Sequence, residues 1–467
     1  LNLKNISAFS IGTLGAAVAG IITIPLLTWL VSPEDIGRFN IYQLVIGFGV
    51  LFLSLGLDQT FARYYNEEVD KYRLLLDCYL PGIFIFLLAL IPIVWMKDEI
   101  SQFLYDEVKT SYVVLTAVCV FVMYLLRISS VILRMNGDGV FYSINQVLPK
   151  GLLCVFLVFN FFLSGHSNFS TVLLLSFVAL LVVVPQFVSV VFTYVKRNRG
   201  GAAAVVDRRQ LFAFGLPLLL SSLIYWTVTA IGSVLLKDMV GLDELGLYAV
   251  AINLAGVAVV FQNILSVVWV PIVYKWVSSN EDLSRIDGVL SVVLFFVVVL
   301  TSLVGIFSGF VDFLLPAEYS AVKYLLMCAV LQPFFYALSE VSGIGISVVK
   351  KTYLNVVGNF CVLILCFACA YFLIPLYGAA GAIMSNTIAF FVCLIFRTEF
   401  SARHWRNIPR RKLYLSTFAC ACLSIFCLQV KQLPIVILSW GVVLIFACVV
   451  FHTELKLVVS YLSRFRK

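Results

Sequence analysis

Charge is what this sequence has least of. Asp, Glu, Lys and Arg make up 12% of its 467 residues, about half of the roughly 25% found in soluble domains, and that scarcity excludes a soluble globular fold. Histidine is scarcer still. His166, His404 and His452 are the only three, and they fall in or beside polar turns, too scattered for a metal-binding cluster. No Gly-x-x-x-x-Gly-Lys-Ser/Thr phosphate loop occurs, which excludes ATP hydrolysis by that route. Long polar stretches are also missing, so there is no room for an extramembrane domain. Nor do the apolar runs alternate with polar residues as barrel strands would.

What the chain has instead is hydrocarbon: 62% of residues are hydrophobic and the mean hydropathy is +1.06. Fourteen apolar runs can be read, from 5–31 to 434–451, each near the roughly 17 to 25 residues that a helix needs to cross a bilayer. The first run is too long for the core of a secretory signal and lacks a cleavage pattern, so it is expected to be the first span. The expected fold is an all-α polytopic membrane protein. The twelve cysteines lie almost entirely in these runs. Even the Cys-x-x-Cys of Cys366 and Cys369 reads as helix packing, because no His or charge lies near it. No disulfide, metal or cofactor is expected.

The basic residues orient the spans, since Lys and Arg collect in cytoplasmic loops. With the N-terminus inside, 24 of the 32 Lys and Arg fall in inner segments and 6 in outer ones, leaving Arg127 and Lys150 within spans. Both termini are therefore expected in the cytoplasm. The net charge of +8 is spread over many inner segments, which fits topology and anionic headgroups and not a nucleic-acid partner.

The chain also repeats itself. "VSPEDIGRF" from Val31 and "VGLDELGLY" from Val240 share an acidic pair, a glycine and an aromatic residue two positions later, at an offset of 209; Asn145 and Asn355 echo each other at 210. An even number of spans separates the copies, so they are parallel repeats, the kind of architecture in which transporters bind substrate between halves. This predicts two pseudo-symmetric six-helix lobes at 1–196 and 211–397. A basic linker at 197–210 joins them, and a basic loop, two further helices and a tail follow at 398–467. Ala8, Gly12, Ala16 and Gly20 recur every fourth position and suit tight helix contact. Pro25, Pro81, Pro149, Pro217, Pro271 and Pro333 are expected to bend helices.

At this point the residues carry a resemblance. Fourteen spans in two parallel lobes, "SPEDIGRFNIYQ" after span 1, "GLDQTFARYY" closing span 2 and "FGLPLLLSSL" opening span 7 together resemble the Wzx-type polysaccharide flippases. These belong to the multidrug/oligosaccharidyl-lipid/polysaccharide exporter superfamily, so the resemblance implies a MATE-like fold. It further implies a central cavity, alternating access, and export of an undecaprenyl-diphosphate-linked repeat unit for a surface polysaccharide such as O-antigen or capsule. The location it implies is a bacterial inner membrane.

Charges within spans are the candidate site, because each is costly there and needs a reason. Arg127 lies seven residues before Arg134, hence about 10 Å from the inner end of span 4, and Lys150 about six residues into span 5. Their depths match, and the turn "MNGDG" joins the two spans. With Arg134 and Arg63 they read as a cationic pocket for a diphosphate or acidic sugar. The structural alternative pairs Arg127 with Asp58 or Asp138, or lets it snorkel to the interface.

Glu340, about 15 Å from the inner end of span 10, and Asp58 are candidates for coupling to H+ or Na+; Glu340 reads equally as a salt-bridge partner, with Arg127 as its cation. Gln59, Asn145, Gln146, Tyr225, Trp226, Gln262, Asn263, Gln332, Asn355 and Asn359 read either as sugar contacts or as interhelical hydrogen-bond partners. Expected partners are the lipid-linked oligosaccharide, membrane lipids and polysaccharide polymerase machinery, with the chain acting as a monomer. One rival is a drug-cation antiporter of the same superfamily, which should favour acidic cavity residues. A glycan polymerase or ligase needs long outer loops, which this chain lacks.

Overall fold

The computed structural model describes residues 3–199, 206–279, 281–349, 351 and 353–456. The middle of the predicted linker (200–205), Lys350 and the basic tail beyond 456 lie outside the described residues. The described chain is helical, with no strand among its elements. The helices, in order, are α1 (Leu3–Leu30), α2 (Pro33–Ser54), α3 (Leu57–Tyr64), α4 (Lys71–Trp95), α5 (Lys97–Tyr105), α6 (Thr110–Asn136), α7 (Gly139–Ser164), α8 (Phe169–Leu181), α9 (Val184–Asn198) and α10 (Arg208–Met239). After α10 come α11 (Leu242–Leu254), α12 (Gly256–Ser278), α13 (Arg285–Ile306), α14 (Val311–Leu314), α15 (Val322–Ala329), α16 (Leu331–Ser342) and α17 (Ile344–Val348). The last four are α18 (Tyr353–Tyr377), α19 (Ala379–His404), α20 (Arg411–Val430) and α21 (Leu433–Val450).

Among the described residues thirteen helical spans are long and apolar enough to cross a membrane by length and composition, and α1 adds the apolar stretch Leu14–Leu30. The protein is thus a multi-pass membrane protein. Four of the predicted spans are subdivided: 41–62 becomes α2 and α3, 170–195 becomes α8 and α9, 247–272 becomes α11 and α12, and 321–348 becomes α15, α16 and α17.

The break between α2 and α3 has a clear local cause. Leu55 (φ 50°) and Gly56 (φ 69°) are both left-handed, a region that L side chains avoid and glycine tolerates. At Gly56 the requirement is also steric, because a Cβ would lie 2.2 Å from the Gly215 carbonyl oxygen of α10.

The chain divides into two compact units, Leu1–Ala230 and Ile231–Lys467. The division falls inside α10 and not at the linker, because the first half of that helix packs with the first unit. Leu211 and Leu219 join a buried cluster with Leu57, Phe61, Tyr79 and Tyr124. Trp226 stands 5.2 Å, centroid to centroid, from Phe48. Within the first unit α1 lies close along α7, where a Cβ on Gly12 would meet Ser143 Cα at 2.5 Å. The small residues at Gly12 and Ala16 therefore serve helix contact.

The repeated loop motif has a repeated job. Asp35 Oδ2 accepts from the backbone N–H of Phe169, the first residue of α8, at 3.0 Å. Glu244 Oε2 accepts from the N–H of Ala379, the first residue of α19, at 2.8 Å. The acceptors are 209 apart and the donors 210, matching the sequence offsets. In each copy an acidic side chain thus satisfies a free donor at a helix start and faces the positive end of its dipole. In the first copy Asp35 is itself held by Arg38, at 2.6 Å, which also pairs with Glu34 and Glu107 and donates to the Tyr105 carbonyl.

Asp35→Ala and Glu244→Ala should each lower stability by about 1 kcal/mol, the usual cost of losing a helix-start acceptor. The measurement is the thermal midpoint in detergent, and Asp35→Ala should lose more because Arg38 is left short of a partner.

Candidate functional site

Arg127 sits on α6 nine residues before its end at Asn136, about 13 Å deep by helical rise. Its Nε and Nη2 both donate to Asp58 Oδ2, at 3.0 and 2.6 Å. Of the structural alternatives left open by the sequence, the partner is Asp58. Asp58 comes immediately after the α2–α3 break, in the first turn of α3, and is 5% exposed. The Arg127 side chain is 50% exposed. Its Nη1 donates to no described residue, so the guanidinium holds a carboxylate with one edge and offers the other outward.

Lys150 lies deeper than its sequence position suggested. Helix α7 starts at Gly139, five residues before the predicted span, because the mixed segment "GVFYS" is already helical. Lys150 is therefore eleven residues in, about 17 Å. Asn145 fixes the register between the two helices: its Nδ2 donates to the Leu126 carbonyl and Ser129 Oγ, both at 3.1 Å, and to Ser130 Oγ at 2.5 Å. Lys150 is five residues beyond Asn145 and, counted from the ends of the two helices, about 4 Å deeper than Arg127, so the matching depths expected for the two cations differ by less than one helical turn. The Lys150 ammonium pairs with no described residue and is exposed beside Gly20 of α1, 4.0 Å from where a Cβ would stand. An unpaired ammonium this far into a span is the kind of group that marks a substrate or ion pathway.

The other two proposed pocket cations stand apart from this pair. Arg63 ends α3, is exposed and is bound to Glu67. Arg134 is exposed in the last turn of α6. Asp58, proposed for ion coupling, is instead committed to Arg127.

In the second unit Glu340 of α16 accepts from Ser266 Oγ of α12. Arg397 of α19 acts on it electrostatically; it donates to Ser339 Oγ at 3.0 Å and to Asn355 Oδ1 at 3.4 Å, and lies 5.4 Å from the Tyr336 ring centre. Within its own unit the cation beside Glu340 is thus Arg397, bonded to the neighbouring Ser339. Sequence reading missed it because span 12 was expected to end at 396. Helix α19 runs to His404, leaving Arg397 about 10 Å inside the helix end. The signal was present: no Gly or Pro interrupts the chain between Gly381 and Pro409.

The neutral candidates divide by burial. Asn145 and Gln262 are buried, Asn145 being bonded between helices. Gln59, Asn263 and Tyr225 are exposed. Gln146, Trp226, Gln332, Asn355 and Asn359 are half-buried, with Asn355 bonded to Arg397.

Stacked membrane helices, a duplicated cap and charges within spans define a polytopic membrane protein built from two sequence copies. The family model described as "Polysaccharide biosynthesis protein" matches residues 2–277, and the chain belongs to that family. No curated protein matches the chain. Among solved structures, the inward-closed lipid II flippase MurJ is similar with a TM-score of 0.72 at 14% identity, covering 96% of this chain and 99% of its own. An inward-facing multidrug resistance transporter of the MATE family and MOP superfamily gives 0.59 at 14% identity, covering 84% and 95%. The MATE multidrug transporter DinF-BH gives 0.56 at 14% identity, covering 89% and 97%. The fold is therefore the MurJ/MATE fold, and these neighbours are named as a flippase and as multidrug transporters.

Arg127→Ala strands the Asp58 carboxylate. It should cost about 2 kcal/mol, less than the 3 to 5 kcal/mol of a fully buried pair because the guanidinium is half exposed. Adding Asp58→Asn should recover most of that loss, read as thermal midpoints of both single variants and the double variant.

Proposed function

We propose that this protein moves an undecaprenyl-diphosphate-linked oligosaccharide repeat unit from the cytoplasmic to the periplasmic leaflet of a bacterial inner membrane, by alternating access, for surface polysaccharide assembly. The observation that carries this reading is a pair of uncommitted donors on the adjacent helices α6 and α7 of the first unit: the unpaired Lys150 ammonium and the free Nη1 of Arg127. A diphosphate satisfies both, a planar donor edge suiting its oxygens and a point charge balancing what remains. Membership of the polysaccharide biosynthesis family agrees with a glycan-bearing lipid.

The distribution of basic residues supports cytoplasmic termini, and the chain acts as a monomer that delivers its product to polymerase machinery. Glu340, a half-buried carboxylate deep in its span, is the coupling candidate for H+ or Na+, with Ser266 as its donor and Arg397 as its electrostatic counterweight. A drug-cation antiporter is disfavoured by the same cationic donors, since cations repel cations.

Deleting the gene should make lipid-linked repeat units accumulate on the cytoplasmic face. Lys150→Ala and Arg127→Ala, expressed at normal levels, should each lower export by about tenfold or more, as expected for loss of a charged contact worth over 1.4 kcal/mol; Lys150→Arg should retain most of it. Full export by both alanine variants would remove the pocket. Glu340→Gln should abolish the response of transport to an imposed ion gradient, measured in proteoliposomes.

A further inference from the structure

The ion pair between Arg127 and Asp58 has a mechanical neighbourhood that anion binding alone does not require. Asp58 is carried by a helix of only eight residues, α3, that starts at a two-residue left-handed break. The far side of that break rests on α10: a Cβ on Gly56 would lie 2.2 Å from the Gly215 carbonyl oxygen, and one on Gly215 would lie 2.9 Å from Thr60 Oγ1 and 3.1 Å from the Leu55 carbonyl oxygen. Thr60 Oγ1 donates to the Gly56 carbonyl at 3.1 Å and reaches the Leu211 carbonyl at 3.5 Å. Helix α3 thus meets α6 through one carboxylate oxygen and α10 through a glycine-to-glycine contact, while Leu57 and Phe61 anchor its apolar face in the buried cluster with Tyr79 and Tyr124.

We infer that Asp58 is a positioning residue whose bond to Arg127 serves as an occupancy latch. It holds the outward edge of Arg127 ready and, at the same time, keeps α3 seated on α10. An anion that draws Arg127 toward itself competes with Asp58 for the same guanidinium. Once that partner is withdrawn, a carboxylate that is 5% exposed can no longer stay where it is, because an unpaired buried charge is strongly disfavoured. The chain can relieve it by swinging α3 about Leu55–Gly56, where the backbone already departs from the helix. That swing lifts Gly56 and Thr60 from Gly215 and Leu211. Arrival of charge at Arg127 is thereby converted into release of α10, the helix with which the second sequence copy begins. This inference rests on the proposed anion pocket.

The test uses the full-length protein in detergent carrying Thr60→Cys and Leu211→Cys, with inorganic diphosphate as the probe. A short thiol-reactive linker bridges the two introduced thiols, and the bridged peptide is quantified by mass spectrometry so that the native cysteines do not confuse the readout. Diphosphate should lower the bridging yield by about fivefold, the lower end of coupling between linked sites. By reciprocity, bridging should weaken diphosphate binding by the same factor in calorimetry. Asp58→Asn in that background removes the charge that drives the swing and should give a yield that stays high and no longer responds to diphosphate, while Asp58→Glu should keep the response.

Diphosphate binding that depends on Arg127 but leaves the yield unchanged would overturn the latch and leave the pocket standing. No binding at all would overturn both. A yield that still falls with diphosphate when Arg127→Gln is present would also overturn the latch, because the signal would then bypass the pair.

Discussion

A charge in hydrocarbon must be matched, and the interior of this protein is organised around how each one is. The insertion cost is roughly 2.5 to 3.5 kcal/mol for a single Arg, Lys or Asp at mid-span, so each such residue calls for a partner or for access to one. Arg127 does both, holding Asp58 with two donors and leaving its other edge outward. Lys150 has no protein partner among the described residues and stands exposed beside a glycine. Arg397 is engaged by a serine, an asparagine and an aromatic ring. The same electrostatic demand thus has three solutions.

The duplication explains why such charges can be accommodated at all. Each copy keeps its helix packing through the same device, an acidic side chain from the loop motif on the first N–H of a later helix. Those bonds tie segments more than a hundred residues apart and do not depend on what the spans carry inside. With the scaffold secured at the helix ends, the interior faces are free to differ between the copies.

Much of the fold was legible because hydrocarbon imposes a long, uniform signal. Spans, their number and the repeat could be read from apolar run lengths and two short motifs. Breaks within spans could not, since they depend on neighbours: Leu55 is left-handed beside a glycine packed on Gly215, a contact between segments far apart in the chain. Span ends were misread in the same direction twice, as α7 and α19 both continue through mixed polar segments. That error placed Lys150 too shallow and Arg397 outside the membrane altogether. The partner of Arg127 could be narrowed to two carboxylates, but Asp58 and Asp138 differ in packing and not in sequence signal.

The sharpest evidence of divergence lies in one pair of matched positions. Ser129 and Asn145 in the first copy correspond, at an offset of 210, to Ser339 and Asn355 in the second. In the first copy the amide nitrogen donates to the serine and ties the helix pair without a charge. In the second, both the serine and the asparagine receive donors from Arg397 instead. One scaffold therefore carries a neutral joint in one copy and a seated guanidinium beside a carboxylate in the other. A cation locked this way is poorly suited to capture a passing anion, but well suited to keep Glu340 under electrostatic control. The first copy, whose joint needs no charge, can leave Lys150 uncommitted. The proposed division between substrate recognition and ion response rests on this difference in hydrogen bonding between the copies.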